Sequence, residues 1–267
     1  MTQVERAGGD TINASSGNDT ISGGPGNDTI NASTGIDTYT TATGYIDEPA
    51  TQGMNARMGV AANLNDGYGN SDSPYGFEVI EGTSFNDVIR GASNDETIYG
   101  GSGNDNVAGA GNDTIFGEDG LDRLTGNYGN DTLNGGASDD RLIPRSGNDT
   151  VIGGSGTDVL DFTNASARVV VDLNLGTVTG EGTDSVASTE DVYGSAYADR
   201  ITGNAAANRL EGRDGGDALF GLGGNDNLIG GNGNDSMNGG DGNDICAGGP
   251  STSDSATASC ETVTGTP

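Results

Sequence analysis

The stretch Gly23-Gly24-Pro25-Gly26-Asn27-Asp28-Thr29-Ile30 contains a glycine-rich turn, one acidic residue and a short extended segment, with an apolar residue two positions after the acid. The same pattern recurs in steps of nine residues within three blocks, except for one step of eight residues from Asp105 to Asp113. Self-similarity at a fixed short period is typical of a solenoid. Alternation of outward and inward residues after each acid is typical of a β-strand. We therefore predict an all-β fold built as a parallel β-solenoid.

The acid position of the repeat indicates a metal site. Two nonapeptides per coil would place acids that are eighteen residues apart, such as Asp10 and Asp28, directly above one another. Stacked carboxylates repel unless a cation lies between them. Carboxylate and turn carbonyl oxygens suit Ca²⁺, whereas Mg²⁺ needs a tighter octahedron and Zn²⁺ prefers nitrogen or sulfur ligands.

The predicted metal ligands are all Asp residues at the acid position of the repeat. They are Asp10, Asp19, Asp28, Asp37, Asp87, Asp105, Asp113, Asp122, Asp131, Asp140, Asp149, Asp158, Asp199, Asp217, Asp226, Asp235 and Asp244. Glu96 and Asn208 replace Asp at this position, and the short step before Asp113 removes one turn residue, so we expect weaker or missing metal sites there.

The pattern G-G-x-G-N-D-x-U-x, where U is apolar, resembles the nonapeptide of the RTX (repeats-in-toxin, hemolysin-type) calcium-binding family. The resemblance implies a right-handed parallel β-roll that binds several Ca²⁺ ions between stacked turns. All ten basic residues are Arg, which indicates a bacterial source for a protein that we expect to be secreted. Ice-binding members of this family place Thr in the turn just before Gly-Asn-Asp, a position that varies here, which argues against antifreeze activity.

Composition agrees with a metal-dependent solenoid and excludes several other classes. Only 31% of the residues are hydrophobic, 50 of 267 are Gly and Trp is absent, so a thick globular core cannot form. A net charge of −30 excludes a nucleic-acid-binding surface. The chain has no His, the commonest general base, and no apolar run of membrane-spanning length. The start, Met1-Thr2-Gln3-Val4, lacks a signal pattern, so we expect an exported protein whose signal is absent from this sequence.

The nine-residue period and its interruptions predict six segments. They are a first repeat block at 8–39, an inserted coil or hairpin at 40–86, a central repeat block at 87–160, a second insertion at 161–198, a third repeat block at 199–246 and a C-terminal cap at 247–267. The two insertions resemble each other and the segments found between repeat blocks of RTX proteins, so we expect wider, metal-poor coils. A catalytic or ligand-binding insertion is the alternative, but neither segment contains a recognisable catalytic constellation.

A Thr ladder could form an outer recognition face. Thr97, Thr114, Thr132 and Thr150 each follow an acid in one strand row, flanked by Tyr99 and Phe116. Such a flat face could bind ice, a cell-surface glycan or another copy of the chain. The alternative is ordinary strand preference, since Thr suits an exposed β surface.

The two cysteines predict a disulfide that clamps the C-terminal cap. Cys246 occupies the inward position of the last repeat, and Cys260 follows fourteen residues later. A disulfide indicates an oxidising, extracellular setting, where Ca²⁺ is also abundant. Free thiols and a metal site made from two Cys remain the alternatives.

Together these features predict a secreted calcium-binding β-roll that folds on binding Ca²⁺ and acts as a structural, carrier or adhesive module. The alternative is the C-terminal calcium-dependent module of an extracellular protease, lipase or polysaccharide-modifying enzyme. We expect no catalytic activity in this chain, because it lacks His, Lys and the G-x-S-x-G and zinc-protease motifs, and nearly every Asp belongs to the repeat.

Overall fold

The computed structural model describes residues 2–4, 10–14, 16–22, 29–32, 34–40, 55–57, 64–65, 71–250, 253–257 and 259–264. These residues form strands and turns without a helix, which confirms the predicted all-β fold. Asp28 and most of residues 41–70, part of the first predicted insertion, lie outside the described residues. The chain divides into two compact units, Met1–Asp140 and Arg141–Pro267.

The first unit is a parallel β-solenoid with two strand faces. Its strands are β1 (Thr2–Val4), β2 (Thr11–Asn13), β3 (Thr20–Ser22), β4 (Thr29–Asn31), β5 (Thr38–Thr40), β6 (Asn55–Arg57), β7 (Leu64–Asn65), β8 (Ser71–Tyr75), β9 (Val79–Thr83), β10 (Val88–Arg90), β11 (Thr97–Ser102), β12 (Asn106–Ala108), β13 (Thr114–Asp119), β14 (Arg123–Tyr128) and β15 (Thr132–Ala137). One face has the order β1-β3-β5-β9-β11-β13-β15, and the other has the order β2-β4-β8-β7-β6-β10-β12-β14.

The second unit repeats this architecture. Its strands are β16 (Arg141–Ser146), β17 (Thr150–Ser155), β18 (Val159–Asp161), β19 (Val170–Asp172), β20 (Thr177–Thr179), β21 (Thr183–Ala187), β22 (Asp191–Tyr193), β23 (Arg200–Thr202), β24 (Arg209–Asp214), β25 (Ala218–Gly223), β26 (Asn227–Asn232), β27 (Ser236–Asp241), β28 (Asp244–Ala247), β29 (Ser255–Ala256) and β30 (Cys260–Thr264). One face has the order β17-β21-β20-β19-β23-β25-β27-β29, and the other has the order β16-β18-β22-β24-β26-β28-β30.

The core of each unit is thin because most of the strands whose side chains are described contribute a single buried apolar side chain. After the acid, successive residues alternate between the outer face and the interior, so in β11 Ile98 and Gly100 are buried while Thr97 and Tyr99 are half-buried on the outer face. The equivalent inward residues, such as Leu124 and Leu219, are fully buried. The second inward residue of β11 is a glycine, so the interior gains little additional apolar area from it.

The register between coils follows the repeat length. Thr11 pairs with Thr29 and Ala218 pairs with Ser236, a step of two nonapeptides. Across the shortened turn before Asp113 the step between coils falls to seventeen residues on both faces. The backbone N–H of Glu96 donates to Asp113 Oδ1, and that of Asp105 donates to Asp122 Oδ1. The step then returns to eighteen, as in the bond from Asp113 to Asp131, so the deletion changes one coil only.

The outer Thr residues of the first unit lie in register. Thr97 pairs with Thr114 and Thr114 pairs with Thr132, while Tyr99 and Phe116 stack with ring centroids 5.0 Å apart. The ladder is therefore a continuous row of half-buried side chains on one face of this unit.

Antiparallel strands interrupt the parallel ladders in both units. In the second unit, β19 pairs antiparallel with β20, and β20 pairs antiparallel with β21, before β19 resumes parallel pairing with β23. In the first unit, β7 pairs antiparallel with both β6 and β8. Each excursion adds strands to one face without breaking the hydrogen-bonded ladder.

The C-terminal end of the second unit contains the predicted disulfide. Cys246 and Cys260 are joined by a 2.01 Å S–S bond, and both side chains are buried. The bond links β28 to β30, which are paired in parallel. The described residues contain no helix long and apolar enough to cross a membrane.

Candidate metal centres

The predicted acids lie in turns at the start of strands, and nearly all of them are buried. Asp10 is half-buried, and Asp28 is outside the described residues. The buried members are Asp19, Asp37, Asp87, Asp105, Asp113, Asp122, Asp131, Asp140, Asp149, Asp158, Asp199, Asp217, Asp226, Asp235 and Asp244. A buried carboxylate requires compensating charge or hydrogen bonds.

One oxygen of each stacked carboxylate is held by the backbone of the preceding coil. The backbone N–H of Asp199 donates to Asp217 Oδ1 at 2.7 Å, and that of Asp217 donates to Asp235 Oδ1 at 2.8 Å. In the first unit, the N–H of Asp105 donates to Asp122 Oδ1 at 2.8 Å. These bonds fix the carboxylates in rows that run along the stacked coils.

The second oxygen of many of these carboxylates is buried without a hydrogen-bond partner. This holds for Oδ2 of Asp105, Asp122, Asp217, Asp226 and Asp235. Leaving a buried acceptor unsatisfied is costly, so this set of atoms calls for a ligand.

A glycine five residues before the acid leaves space next to this second oxygen. A Cβ added to Gly100 would lie 2.6 Å from Asp105 Oδ2 and 2.8 Å from the carbonyl oxygen of Gly117, in the next coil. A Cβ added to Gly212 would likewise meet Asp217 Oδ2 and lie 2.7 Å from the carbonyl oxygen of Gly230. A carboxylate oxygen and a carbonyl oxygen thus converge on space that only glycine leaves open.

We call such a six-residue segment an open turn, defined by Gly212-Arg213-Asp214-Gly215-Gly216-Asp217 and counted from the glycine to the acid. Positions two and four of this turn have positive φ, 81° at Arg213 and 141° at Gly215. The turns that end at Asp105, Asp122, Asp226 and Asp235 carry positive φ at the same two positions.

The oxygen-only donor set fits a hard divalent cation. Among the described residues no group of three or more His, Cys, Asp or Glu side chains forms a metal cluster, so an ion in these turns would depend on carbonyl oxygens as well as carboxylates. Ca²⁺ accepts six to eight oxygen ligands of this mixed kind. When bound, the ion would supply the positive charge that the carboxylate rows lack.

Electrostatics support this fit. Burial and then the neighbouring carboxylates raise the pKa of Asp217 to about 7, and burial raises the pKa of Asp105 to about 7 as well. Burial also raises the pKa of Asp122, Asp131 and Asp226 to about 6. The ionised rows are therefore unfavourable without a cation.

In two other turns, both carboxylate oxygens of the acid accept hydrogen bonds from the protein itself. In Gly82-Thr83-Ser84-Phe85-Asn86-Asp87, the Thr83 N–H donates to Asp87 Oδ2 at 2.6 Å and the Thr83 hydroxyl donates to Oδ1 at 3.0 Å. In Gly194-Ser195-Ala196-Tyr197-Ala198-Asp199, the Ser195 N–H donates to Asp199 Oδ2 at 2.6 Å and the Ser195 hydroxyl contacts both carboxylate oxygens. We call these closed turns.

The turns that end at Glu96 and Asn208 follow the closed pattern in part. The Asn204 N–H donates to Asn208 Oδ1 at 2.8 Å, while Asn208 Nδ2 donates to the Glu190 carbonyl oxygen at 2.7 Å. The Ala92 N–H donates to Glu96 Oε1 at 3.2 Å. Burial, followed by the nearby Asp113 carboxylate, raises the pKa of Glu96 to about 8.

At the position of the first glycine, three other turns have a described residue that carries a side chain. Ala14, Ala32 and Pro144 stand five residues before Asp19, Asp37 and Asp149. A side chain at this position should leave less room beside the acid than a glycine does, so we expect these turns to be less suited to an ion.

The structure also places acids in the rows that the nine-residue period does not mark. They accept a backbone N–H from the previous coil in the same way: Glu78 from Asp37, Asp184 from Asp149, Glu190 from Asp158 and Asp254 from Asp235. Each is followed two positions later by an apolar residue, namely Ile80, Val186, Val192 or Ala256. This spacing of an acid and an apolar residue could have predicted these row members. The insertions and the cap interrupt the nine-residue period, so the period alone does not mark them.

Stacked parallel coils with rows of buried carboxylates facing glycine turns define a repeat protein of the metal-binding β-roll class. The RTX calcium-binding nonapeptide repeat family matches residues 6–39, 75–107, 107–142, 145–163, 186–219, 193–228 and 220–250. These matches cover more than half of the sequence, so the chain belongs to the RTX calcium-binding repeat family, as its resemblance predicted. A search of curated proteins found no significant match.

Proposed function

We propose that this chain is a secreted structural module whose folding is coupled to Ca²⁺ binding in its open turns. The observation that carries the proposal is the pairing of a buried, unpartnered carboxylate oxygen with a carbonyl oxygen of the next coil, as at Asp217 and Gly230. We expect this role to be structural, carrier or adhesive, and not catalytic, because the acids are committed to the rows.

The proposed ion-binding set is narrower than the set of all repeat acids. Asp105, Asp122, Asp217, Asp226 and Asp235 have an unpartnered second oxygen and a glycine at the first turn position. Asp87 and Asp199 already accept protein hydrogen bonds at both oxygens, so we expect no ion in their turns.

Coupling to folding follows from the thin interior. A single buried apolar side chain in most of the described strands offers little burial to offset the entropy of ordering a repeat. Rows of ionised acids oppose folding further, so an ion bound only by the folded coils contributes its binding free energy to folding.

One feature of the chain supports an extracellular location. The Cys246–Cys260 disulfide is typical of oxidising compartments. Calcium modules that act outside cells bind with dissociation constants of about 10⁻⁴–10⁻³ M, which would keep this chain expanded wherever Ca²⁺ is scarce.

The test is far-ultraviolet circular dichroism of the full chain during a Ca²⁺ titration that starts in chelator, with Mg²⁺ at matched ionic strength as the control. We expect strand content to rise with Ca²⁺ at concentrations where Mg²⁺ has little effect. Complete strand content in chelator, unchanged by Ca²⁺, would contradict the proposal.

A further inference from the structure

Three Asn-Gly pairs of the chain differ in how the fold holds them. They are Asn134-Gly135, Asn232-Gly233 and Asn238-Gly239. An Asn followed by Gly is prone to spontaneous deamidation, because glycine has no Cβ to hinder attack of its backbone nitrogen on the Asn side chain. The attack requires the Asn backbone to rotate away from an extended conformation, so a pair fixed within a strand reacts only after local opening. The positions of the three pairs therefore decide which of them can react in the folded protein.

Two of the pairs lie inside strands. Asn134 is the third residue of β15, and Asn238 is the third residue of β27. Each follows a buried apolar residue, Leu133 or Met237, and each Asn side chain is half-buried. Asn238 Oδ1 also accepts the hydroxyl of Ser259 at 2.8 Å. Rotation of either Asn backbone would thus disturb a strand whose core residue comes immediately before it.

The third pair lies at the end of a strand. Asn232 is the last residue of β26, and its side chain is exposed. It stands between Gly231 and Gly233, which have φ of 103° and 137°, so neither neighbour has a side chain that anchors the backbone. Its Nδ2 donates to Asp214 Oδ1 at 2.7 Å, and its carbonyl oxygen accepts the Gly215 N–H at 2.8 Å. These contacts restrain Asn232 less than a position inside a strand would.

We propose that Asn232 is a deamidation site of the folded protein. The backbone nitrogen of Gly233 gives its proton to hydroxide and attacks Asn232 Cγ. The bond from Cγ to the side-chain nitrogen breaks, and this nitrogen leaves as ammonia after taking one proton from water. Water then opens the succinimide ring at either carbonyl, which yields aspartate or isoaspartate. Water is the only co-reactant that the step consumes.

Deamidation changes the charge of an open turn and, in isoaspartate, its length. Residue 232 is the third position of the turn from Gly230 to Asp235. A carboxylate here would face the Asp214 carboxylate that the Asn232 amide contacts. Isoaspartate also adds one backbone atom between Gly230 and Asp235, so we expect this turn to bind one ion fewer. This consequence rests on the proposed function, whereas the modification itself depends on the fold.

The modification is tested by tandem mass spectrometry of peptides from the full chain, after incubation of the folded protein in mildly alkaline buffer with saturating Ca²⁺. Asn232 should deamidate at least about tenfold faster than Asn134 and Asn238, because local opening costs least at the end of a strand. The product should include isoaspartate, which direct hydrolysis of the side-chain amide cannot form. Equal rates, a lead of Asn134 or Asn238, or aspartate without isoaspartate would overturn the proposal.

The unfolded chain in urea and chelator is the matched control. There the three pairs should react at similar rates, and a lead of Asn232 that persisted would overturn the role of the fold. Asp214→Ala removes the side-chain restraint and should speed deamidation of Asn232 about threefold in the folded protein. Asp241→Ala changes another exposed acid of the same unit and should leave the rate unchanged. The same rate in both variants would refute restraint by Asp214.

The consequence for ion binding is tested by native mass spectrometry of the separated products. At saturating Ca²⁺ the isoaspartate form should bind one ion fewer than the wild type. Asn232→Asp adds the charge alone and should bind the full number. An unchanged count in the isoaspartate form would refute the effect on the turn. A wild-type chain that binds no Ca²⁺ would overturn the proposed function and this consequence, while the order of the three deamidation rates in the folded chain would still decide the modification site.

Discussion

The closed turn at Gly194–Asp199 and the open turn at Gly212–Asp217 are consecutive in one row, yet they satisfy the same acid in opposite ways. Asp199 receives the N–H and hydroxyl of Ser195, whereas Asp217 has an oxygen with no protein partner. The acid is identical, so the difference lies in the turn. Ser195 and Tyr197 occupy the positions that Arg213 and Gly215 fill with positive φ.

The first unit contains the same pair. The closed turn at Gly82–Asp87 is followed one coil later by the open turn at Gly100–Asp105, where Gly101 and Gly103 have φ of 104° and 122°. In both units the closed turn comes just after the antiparallel strands. Turn conformation therefore decides whether the protein itself satisfies the acid, and the central and third repeat blocks each begin with a turn that does so.

The largest expected effect comes from the fourth turn position. Gly233 has a φ of 137°, and an added Cβ would collide with the Gly215 carbonyl oxygen, whereas Tyr197 occupies the same position in the closed turn. Gly233→Ala should therefore lower the free energy of unfolding by about 2–4 kcal/mol, measured by urea unfolding at saturating Ca²⁺. Tyr197→Gly should cost less than about 1 kcal/mol. Gly223→Ala is the control, since its Cβ would meet nothing closer than 3.9 Å. Equal losses in all three variants would erase the distinction between the two turn types.

The next prediction compares the acid of an open turn with an exposed acid in their effect on Ca²⁺-dependent folding. Asp217→Asn keeps the acceptor for the Asp199 N–H but removes the charge next to the Gly212 space. Because ligand charge tunes Ca²⁺ affinity, the Ca²⁺ midpoint of folding should rise about tenfold in a circular dichroism titration. Asp241→Asn should leave the midpoint near the wild-type value. A shift of the same size in both variants would mean that net charge, and not the open turn, controls the midpoint.

In the closed turn the expected effect does not depend on Ca²⁺. Ser195 is fully buried, and its hydroxyl donates to Asp199 and accepts the Tyr197 N–H. Ser195→Ala should cost about 1–3 kcal/mol of unfolding free energy. The loss should appear at any Ca²⁺ concentration where the coil is folded, without a change in the number of ions bound. Exposed Ser185→Ala is the matched control. A lost ion in Ser195→Ala would show that the closed turn also binds Ca²⁺.

The pH dependence of folding stability should have opposite signs in the absence and in the presence of Ca²⁺. Burial raises the pKa of Asp105 and Asp217 to about 7 from 3.8, so the metal-free folded state binds more protons than the unfolded state between these values. Its stability should therefore fall as pH rises from about 4 to about 7. With Ca²⁺ present, protons compete with the ion and stability should rise over the same range. Strand content followed by circular dichroism from pH 4 to pH 8, in chelator and in Ca²⁺, measures both slopes. Parallel slopes would contradict the assignment of these acids.

The smallest effect concerns strain at the second turn position. Leu222 has a φ of 77° and an exposed side chain in the open turn before Asp226. Leu222→Gly should stabilise the loaded protein by about 1 kcal/mol, because the left-handed conformation costs a non-glycine residue about that much. Leu121→Gly removes a similarly exposed side chain without positive φ and should give no gain. Thermal unfolding at saturating Ca²⁺ compares them, and a gain in Leu121→Gly alone would refute the strain argument.

The strands and the core could be predicted because they depend on a local period. Ile98 and Leu219 lie two residues after an acid, and that spacing alone places them inside. The rows of acids followed from the same period, and the disulfide followed from the presence of only two cysteines.

The division of the turns could not be predicted from the acid position. Asp87 and Asp217 are equivalent in the repeat, and only the fold reveals that Thr83 bonds to one while nothing from the protein bonds to Oδ2 of the other. A sequence signal does exist, since both closed turns read Gly, then Ser or Thr, with an aromatic residue at position four. Asp184 and Asp254 were missed because their rows continue in space after the sequence period has ended.

The seventeen-residue step before Asp113 has a consequence for how such a chain can change length. The missing residue is absorbed within a single turn, and the next coil already recovers the eighteen-residue bond between Asp113 and Asp131. This turn therefore isolates its neighbours from the change in residue number. A chain of this kind can therefore lose a residue within a turn without shifting the remaining side chains to the wrong face.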